Sequence, residues 1–276
     1  MRFSVSIAFF ALEPEEQVKL CLESKTRAVS LALYYYEDKA AYLKKAVQLF
    51  KNNGIEIAAL HGTFGPSDLS SFDEPSRKAL INDIKEDLQL FSAVCPGKVV
   101  VVHPGELMEA DKSAASYYEI CSASLKEIFE TAKKLNLKIA VENMRHGDDR
   151  PHENFRPRVG EEPAKLLEII NALGYPGTGL CFDTGHGNIA GDIIKKLSAC
   201  GDKLLHVHIS DNFGVRDNHL PPGEANINWN LFGETLKKLN YGEIIELEIV
   251  KPKDRPSAEV IAGGREFLQK VIPGLS

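Results

Sequence analysis

Short apolar runs separated by longer amphipathic stretches repeat from one end of the chain to the other. Eight of the runs read as strands: RFSVSIA (2–8), AVSLAL (28–33), IEIAAL (55–60), KVVVVH (98–103), LKIAVE (137–142), TGLCFD (178–183), KLLHVHIS (203–210) and EIIELEI (243–249). Their β-branched content suits strands covered on both faces. Helical patterns lie between them. EPEEQVKLCLES places Pro14 where a first helical turn tolerates it. In AASYYEICSASLKEIFETAKKLN, Ile120, Leu125, Ile128, Phe129 and Ala132 keep near-helical spacing. The last pattern, SAEVIAGGREFLQKVI, contains Gly263 and Gly264, which predicts an interruption in its middle. Eight strand–helix units of about 34 residues fit a (β/α)8 TIM barrel better than an open doubly wound sheet. No linker or composition break divides residues 1–276, so the expectation is a single α/β domain. Two connections, 143–161 and 209–227, are long for a compact domain, and such loops are usually functional.

Barrel chemistry gathers at the C-terminal ends of the strands, and these ends carry an unusual set of residues. The third strand ends at His61, the fourth at His103 and the fifth at Glu142. The sixth ends at Asp183, with His186 just beyond, in CFDTGHGNIAG. Taken alone, that stretch reads equally well as a helix cap followed by a glycine turn. The seventh ends at His208 and is followed by Asp217 and His219 in its loop; the eighth offers Glu246 and Glu248. His206 and Glu246 are expected to be packed and hydrogen-bonded one layer deeper, because strand period sends alternate residues inward. Burying so many imidazoles and carboxylates unpaired would be very costly, whereas a divalent cation makes their convergence favourable. Oxygen and imidazole donors without thiolate suit Zn, Mn or Co, with Mg and Fe also compatible. Asp183 and His186 are thus expected to be metal ligands, with the glycines letting the backbone turn closely around them.

Bulk properties narrow the classes further. A formal net charge of −6 leaves no overall basic footprint for nucleic acid. The five cysteines are scattered and contain no C-x-x-C pair, as expected of reduced thiols in a cytoplasmic protein. The apolar start, MRFSVSIAFFALEPEE, is too short to span a membrane and reads as a first strand; no membrane partner is expected.

Along nearly its whole length the chain resembles the xylose isomerase-like barrel superfamily. The resemblance rests on HG after the third strand, HPG after the fourth, EN after the fifth and DTGH after the sixth. It continues in HISD and DNHLPPGE around the seventh and in a carboxylate on the eighth. That superfamily contains divalent-metal-dependent sugar isomerases and epimerases, and also zinc-dependent abasic-site nucleases of the endonuclease IV type. The sugar branch implies one metal held by Glu142, Asp183, His208 and Glu248. Glu248 is preferred to Glu246 as the residue nearer the C-terminal end of its strand and farther from Tyr241. The nuclease branch implies three zincs held by His61, His103, Glu142, Asp183, His186, His208, Asp217, His219 and Glu248, and every position is matched.

HLPPGEANINW resembles the isomerase loop more closely, although Ala225 replaces a glycine common to both branches. YYYEDKAAYLKK shows no match to the nuclease's DNA-wedging loops. The resemblance therefore implies a sugar or sugar-phosphate isomerase or epimerase acting through an enediolate, with Glu142 and Glu248 exchanging the proton. His103 and His186 would bind a second metal or substrate hydroxyls. Phe64 would face the sugar, and Arg145 and Arg150, in a loop that also carries Arg156 and Arg158, would cover the site or hold a phosphate. Nucleic acid is a partner only on the nuclease alternative. A barrel that binds a metabolite without turnover is the third, and a homo-oligomer is compatible with all three.

Overall fold

The structure is a computed structural model, describing residues 1–65, 68–105, 112–146, 158–189, 191–251 and 253–276. Eight parallel strands close into a barrel in chain order, the eighth pairing back onto the first. They are β1 Arg2–Ser6, β2 Ala28–Ala32, β3 Glu56–His61, β4 Val99–Val102, β5 Lys138–Glu142, β6 Thr178–Asp183, β7 Leu204–Ile209 and β8 Ile244–Leu247. All eight apolar runs thus form the expected strands, and the chain folds as a (β/α)8 barrel.

The outer ring is α1 Pro14–Glu23, α2 Lys39–Asn52, α3 Glu74–Val94, α4 Ala114–Lys134 and α5 Pro163–Leu173. After β6 come α6 Thr184–Ile189 and α7 Ile193–Cys200, then α8 Trp229–Lys238 and α9 Ser257–Val271. Pro14 opens α1 as its fixed φ favours, and Trp229 opens α8. The main core, including Phe50, Phe91, Phe129 and Phe232, lies between this ring and the barrel wall. All five cysteines are buried and unbridged. No helix among the described residues is long and apolar enough to cross a membrane.

Two expectations need correction. After Asp183, which caps it, the stretch is a short helix, α6, with Gly185 and Gly187 inside it rather than in a turn. Its glycines still act through close approach: a Cβ on Gly185 would strike Ser210 Oγ, and one on Gly187 the Phe182 ring. The Gly263–Gly264 pair does not interrupt α9, which runs unbroken from Ser257 to Val271. A helical glycine costs about 1 kcal/mol relative to Ala. Gly264 offsets that cost by letting the helix settle against Leu247 of β8.

Inside the barrel, strand register sets which groups share a layer. Glu142 pairs with Cys181, Asp183 with His208, and His208 with Glu246. Gly179 of β6 leaves room for β7 to approach, since a Cβ there would run into the Lys203 carbonyl. Gly179→Ala is expected to lower stability by about 1–3 kcal/mol in denaturant titration, because a backbone neighbour cannot rotate aside.

Candidate metal centre

Glu142 ends β5, Asp183 ends β6, His208 lies one residue before the end of β7, and Glu248 follows the last residue of β8. Alternation along parallel strands turns all four inward at the mouth of the barrel. His208 Nδ1 lies 2.6 Å from Glu248 Oε2 and 3.3 Å from Glu142 Oε2, in both cases without the geometry of a hydrogen bond. Each of the four presents to the centre one buried atom that lacks a hydrogen-bond partner: Glu142 Oε2, Asp183 Oδ2, His208 Nδ1 and Glu248 Oε2; His208 Nε2, on the far side of the ring, lacks one too. Buried polar atoms are rarely left unsatisfied, and four converging acceptors have the chemistry of a divalent-cation site.

The surrounding backbone holds these groups in place. Asn143 brackets Asp183: its Oδ1 accepts from Asp183 N (2.7 Å) and its Nδ2 donates to Asp183 O (3.2 Å). Asp183 Oδ1 accepts from His186 N (2.7 Å), capping the start of α6 and leaving Oδ2 for the centre.

Two further groups flank the first. His61 and His103 approach Glu142 Oε2 through their Nε2 atoms at 3.7 and 3.4 Å. On the other side, Asp217 Oδ2 lies 3.1 Å from His186 Nε2 and 3.2 Å from His219 Nε2. His61, His186 and His219 each donate Nδ1–H to a backbone carbonyl, of Gly62, Asn143 and Glu248 respectively. That arrangement fixes the tautomer and turns each Nε2 toward a carboxylate, as outer partners do around metal-bound imidazoles. All nine residues anticipated as ligands therefore meet at one end of the barrel.

Carboxylates and imidazoles at the mouth stabilise one another's charged forms against burial. Burial pushes Asp183 up to about 6, and the neighbouring carboxylates add to that effect. Burial also works against ionised Glu142 and Glu248, yet the imidazoles carry Glu142 well below the carboxylate range and His208 brings Glu248 to about 2. Desolvation alone would lower His186 and His219. The charges of Asp183 and Asp217 instead hold His186 well above its ordinary value, and Asp217 lifts His219 to about 10. His103 moves down, because burial dominates there.

The loop carrying Asp217 and His219 is organised by a residue to which the sequence assigns no role. Asp211, fully buried, accepts from the backbone N–H groups of Asn212, Gly223, Ala225 and Ile227 and from Trp229 Nε1. In the sequence it closes the HISD motif, which marks its place but not its five partners. Asp211→Ala would leave five donors without this acceptor and is expected to cost about 3 kcal/mol in chemical denaturation.

The mouth opens into a cavity of about 290 Å³ lined by His61, His103, Glu142, His186, Asp217, His219 and Glu248, with Phe9, Tyr34, Phe64, Met144, Arg145 and Arg158. Phe64 stacks on His103 and meets Tyr34 edge-on, forming an aromatic wall. Arg145 thus lies where a substrate group could reach it, while Arg150 and Arg156 fall outside the described residues. Phe9 and Tyr34 had no signal beyond being aromatics near strand ends. His206 and Glu246 pair beneath the centre at 2.7 Å, as expected of packed groups.

Residues 16–271 match the family model described as a xylose isomerase-like TIM barrel. An uncharacterized protein of Methanocaldococcus jannaschii is 33% identical over 83% of this chain and 75% of its own. A probable endonuclease 4 of Mycoplasmopsis pulmonis is 26% identical over 80% of this chain and 76% of its own. Among solved structures, a D-tagatose 3-epimerase-like protein is 28% identical, with a TM-score of 0.81 over 98% of this chain and 99% of that one.

Proposed function

The chain belongs to the xylose isomerase-like TIM-barrel family, and from that membership and its site we propose that it is a divalent-metal-dependent sugar or sugar-phosphate isomerase or epimerase. The observation that carries the proposal is the set of four unpartnered buried atoms on Glu142, Asp183, His208 and Glu248. These are the residues that would hold the ion, and the likeness to a D-tagatose 3-epimerase-like protein supports the same class of reaction. The cavity is at the small end of those that take small molecules, in keeping with a single sugar.

When bound, a divalent ion supplies positive charge beside the substrate's carbonyl and hydroxyl oxygens, which stabilises an enediolate. The protein's own groups do the rest. Glu142 and Glu248 come from strands separated by β6 and β7 and reach the site from different sides, both ionised at neutral pH. In an epimerisation, one carboxylate takes the proton from the carbon next to the carbonyl on one face, and the other, having first picked up a proton from solvent, delivers it to the opposite face; the first then returns its proton to solvent. In an isomerisation, the carboxylate that took the proton returns it to the neighbouring carbon. Phe64 and Tyr34 exclude water from one side and offer an apolar surface to the sugar ring. Arg145 and Arg158 would receive a phosphate where the substrate has one.

Incubating the protein in heavy water with Mn or Co and a panel of ketoses, aldoses, inosose-type cyclitols and their phosphates tests the proposal by NMR. Exchange of a C–H proton adjacent to the carbonyl is expected for at least one member of the panel. No exchange across the panel by protein with metal bound would count against it.

A second reading has its own support. The nine ligand candidates are contiguous: His61–His103–Glu142, Glu142–Asp183–His186 and His186–Asp217–His219 form groups, and His208 lies between Glu142 and Glu248. With the relationship to a probable endonuclease 4, that pattern suits a zinc-dependent abasic-site phosphodiesterase. Incision of an oligonucleotide bearing one abasic analogue, with zinc present, would favour this reading; intact substrate at several salt concentrations would retire it.

A further inference from the structure

Below the four-ligand centre lies a buried polar cluster that the proposed chemistry does not use. Glu246 is almost completely inaccessible, and its Oε2 accepts from Ser30 Oγ (2.5 Å) and His206 Nε2 (2.7 Å). An ionised carboxylate at that depth is expensive unless it is paired. Glutamine in place of Glu246 has the same reach and could accept from Ser30 and His206 at less desolvation cost, so the charge calls for a further reason.

His208 supplies it. The ring presents Nδ1 to Glu142 and Glu248, so for Nδ1 to act as a ligand the proton must sit on Nε2. Nε2 is buried and has no partner, and Glu246 Oε2 is 3.8 Å away; Glu246 Oε1 is equally buried and equally without a partner. At 3.8 Å the contact is electrostatic, beyond hydrogen-bond range. The Cys181 thiol also neighbours His208, but it is held protonated by burial and is a weak acceptor. Strand register makes the pairing systematic, because His208 and Glu246 are Cα partners across β7 and β8.

We propose that Glu246 is the positioning residue of the metal centre: held by Ser30 and His206, it keeps the His208 proton on Nε2 and so aims the Nδ1 lone pair at the ion. The inference rests on the proposed four-ligand site. It assigns Glu246 no contact with substrate.

The test is Mn and Co titration of the full chain and of two variants, with thermal unfolding of each metal-free protein recorded in parallel. Glu246→Gln keeps the volume and a neutral acceptor and should weaken metal binding about 10-fold; Glu246→Met removes the acceptor and should weaken it about 100-fold. The visible spectrum of bound Co should shift in both variants, because it reports the orientation and basicity of the His208 ligand. If the wild-type chain takes up no metal, the proposed function falls and this inference with it. If the wild-type chain binds and Glu246→Gln, folded, binds equally well with an unchanged Co spectrum, this inference alone is overturned.

Discussion

Replacing Glu142 or Glu248 by Gln is expected to slow exchange of the substrate C–H proton with solvent by about two to four orders of magnitude, the range a positioned acid or base contributes. Gln fills nearly the same volume, so the barrel mouth should keep its shape while losing the group that accepts the proton. The two variants should differ in one respect. Glu142 Oε2 lies within 3.7 Å of His61, His103 and His208, and Oε1 lies 3.2 Å from His186 Nδ1. Glu248 Oε2 approaches His208 closely and is less shared. Glu142→Gln should therefore lose more metal than Glu248→Gln, and metal content must be measured beside exchange to separate a lost ligand from a lost base. Near-normal exchange by both variants with metal bound would show that the proton moves through other groups.

Asp183→Asn is expected to weaken metal binding by at least about 100-fold, the upper end of what outer-sphere partners contribute to affinity. Its Oδ2 is unpartnered in the structure, whereas Oδ1 caps α6 through His186 N. Asn retains an oxygen for the cap and removes the charge, so folding should change little. Asp183→Ala removes both and should also lose about 1 kcal/mol of stability from the uncapped helix. Isothermal titration with Mn or Co checks the affinity and thermal unfolding the stability; an Asn variant that binds metal like the wild type would remove Asp183 from the centre.

The barrel was legible because each strand is a continuous apolar run, and a strand buried on both faces leaves little other choice for such a run. Inward placement of His206 and His208 followed from strand period alone. Elements whose form depends on distant contacts were harder to read. The six residues of α6 include two glycines, and their helix is stabilised by Asp183 at its start and by close approach to Ser210 and Phe182. In α9, local propensity pointed to a break at Gly263 and Gly264, while packing of Gly264 against Leu247 keeps the helix whole.

The ligand candidates could be collected from strand ends and motifs, but their mutual geometry could not. Nothing in RDNHL indicates that Asp217 stands between His186 and His219, or that the Nδ1 atom of each imidazole is engaged by a carbonyl. The role of Asp211 in the HISD motif was hidden for the same reason: its partners lie up to 18 residues downstream, in a loop with no regular period.

The central claim is that the convergent carboxylates and imidazoles at the barrel mouth form a divalent-metal site. Elemental analysis of the purified full chain, before and after incubation with Mn, Co or Zn and removal of loose ions, tests it directly. At least one tightly held ion per chain is expected, with its occupancy lowered in Glu142→Ala and Asp183→Ala; one favours the sugar isomerase or epimerase and three zincs the phosphodiesterase. A folded chain that carries no metal and takes up none of the three would contradict the claim.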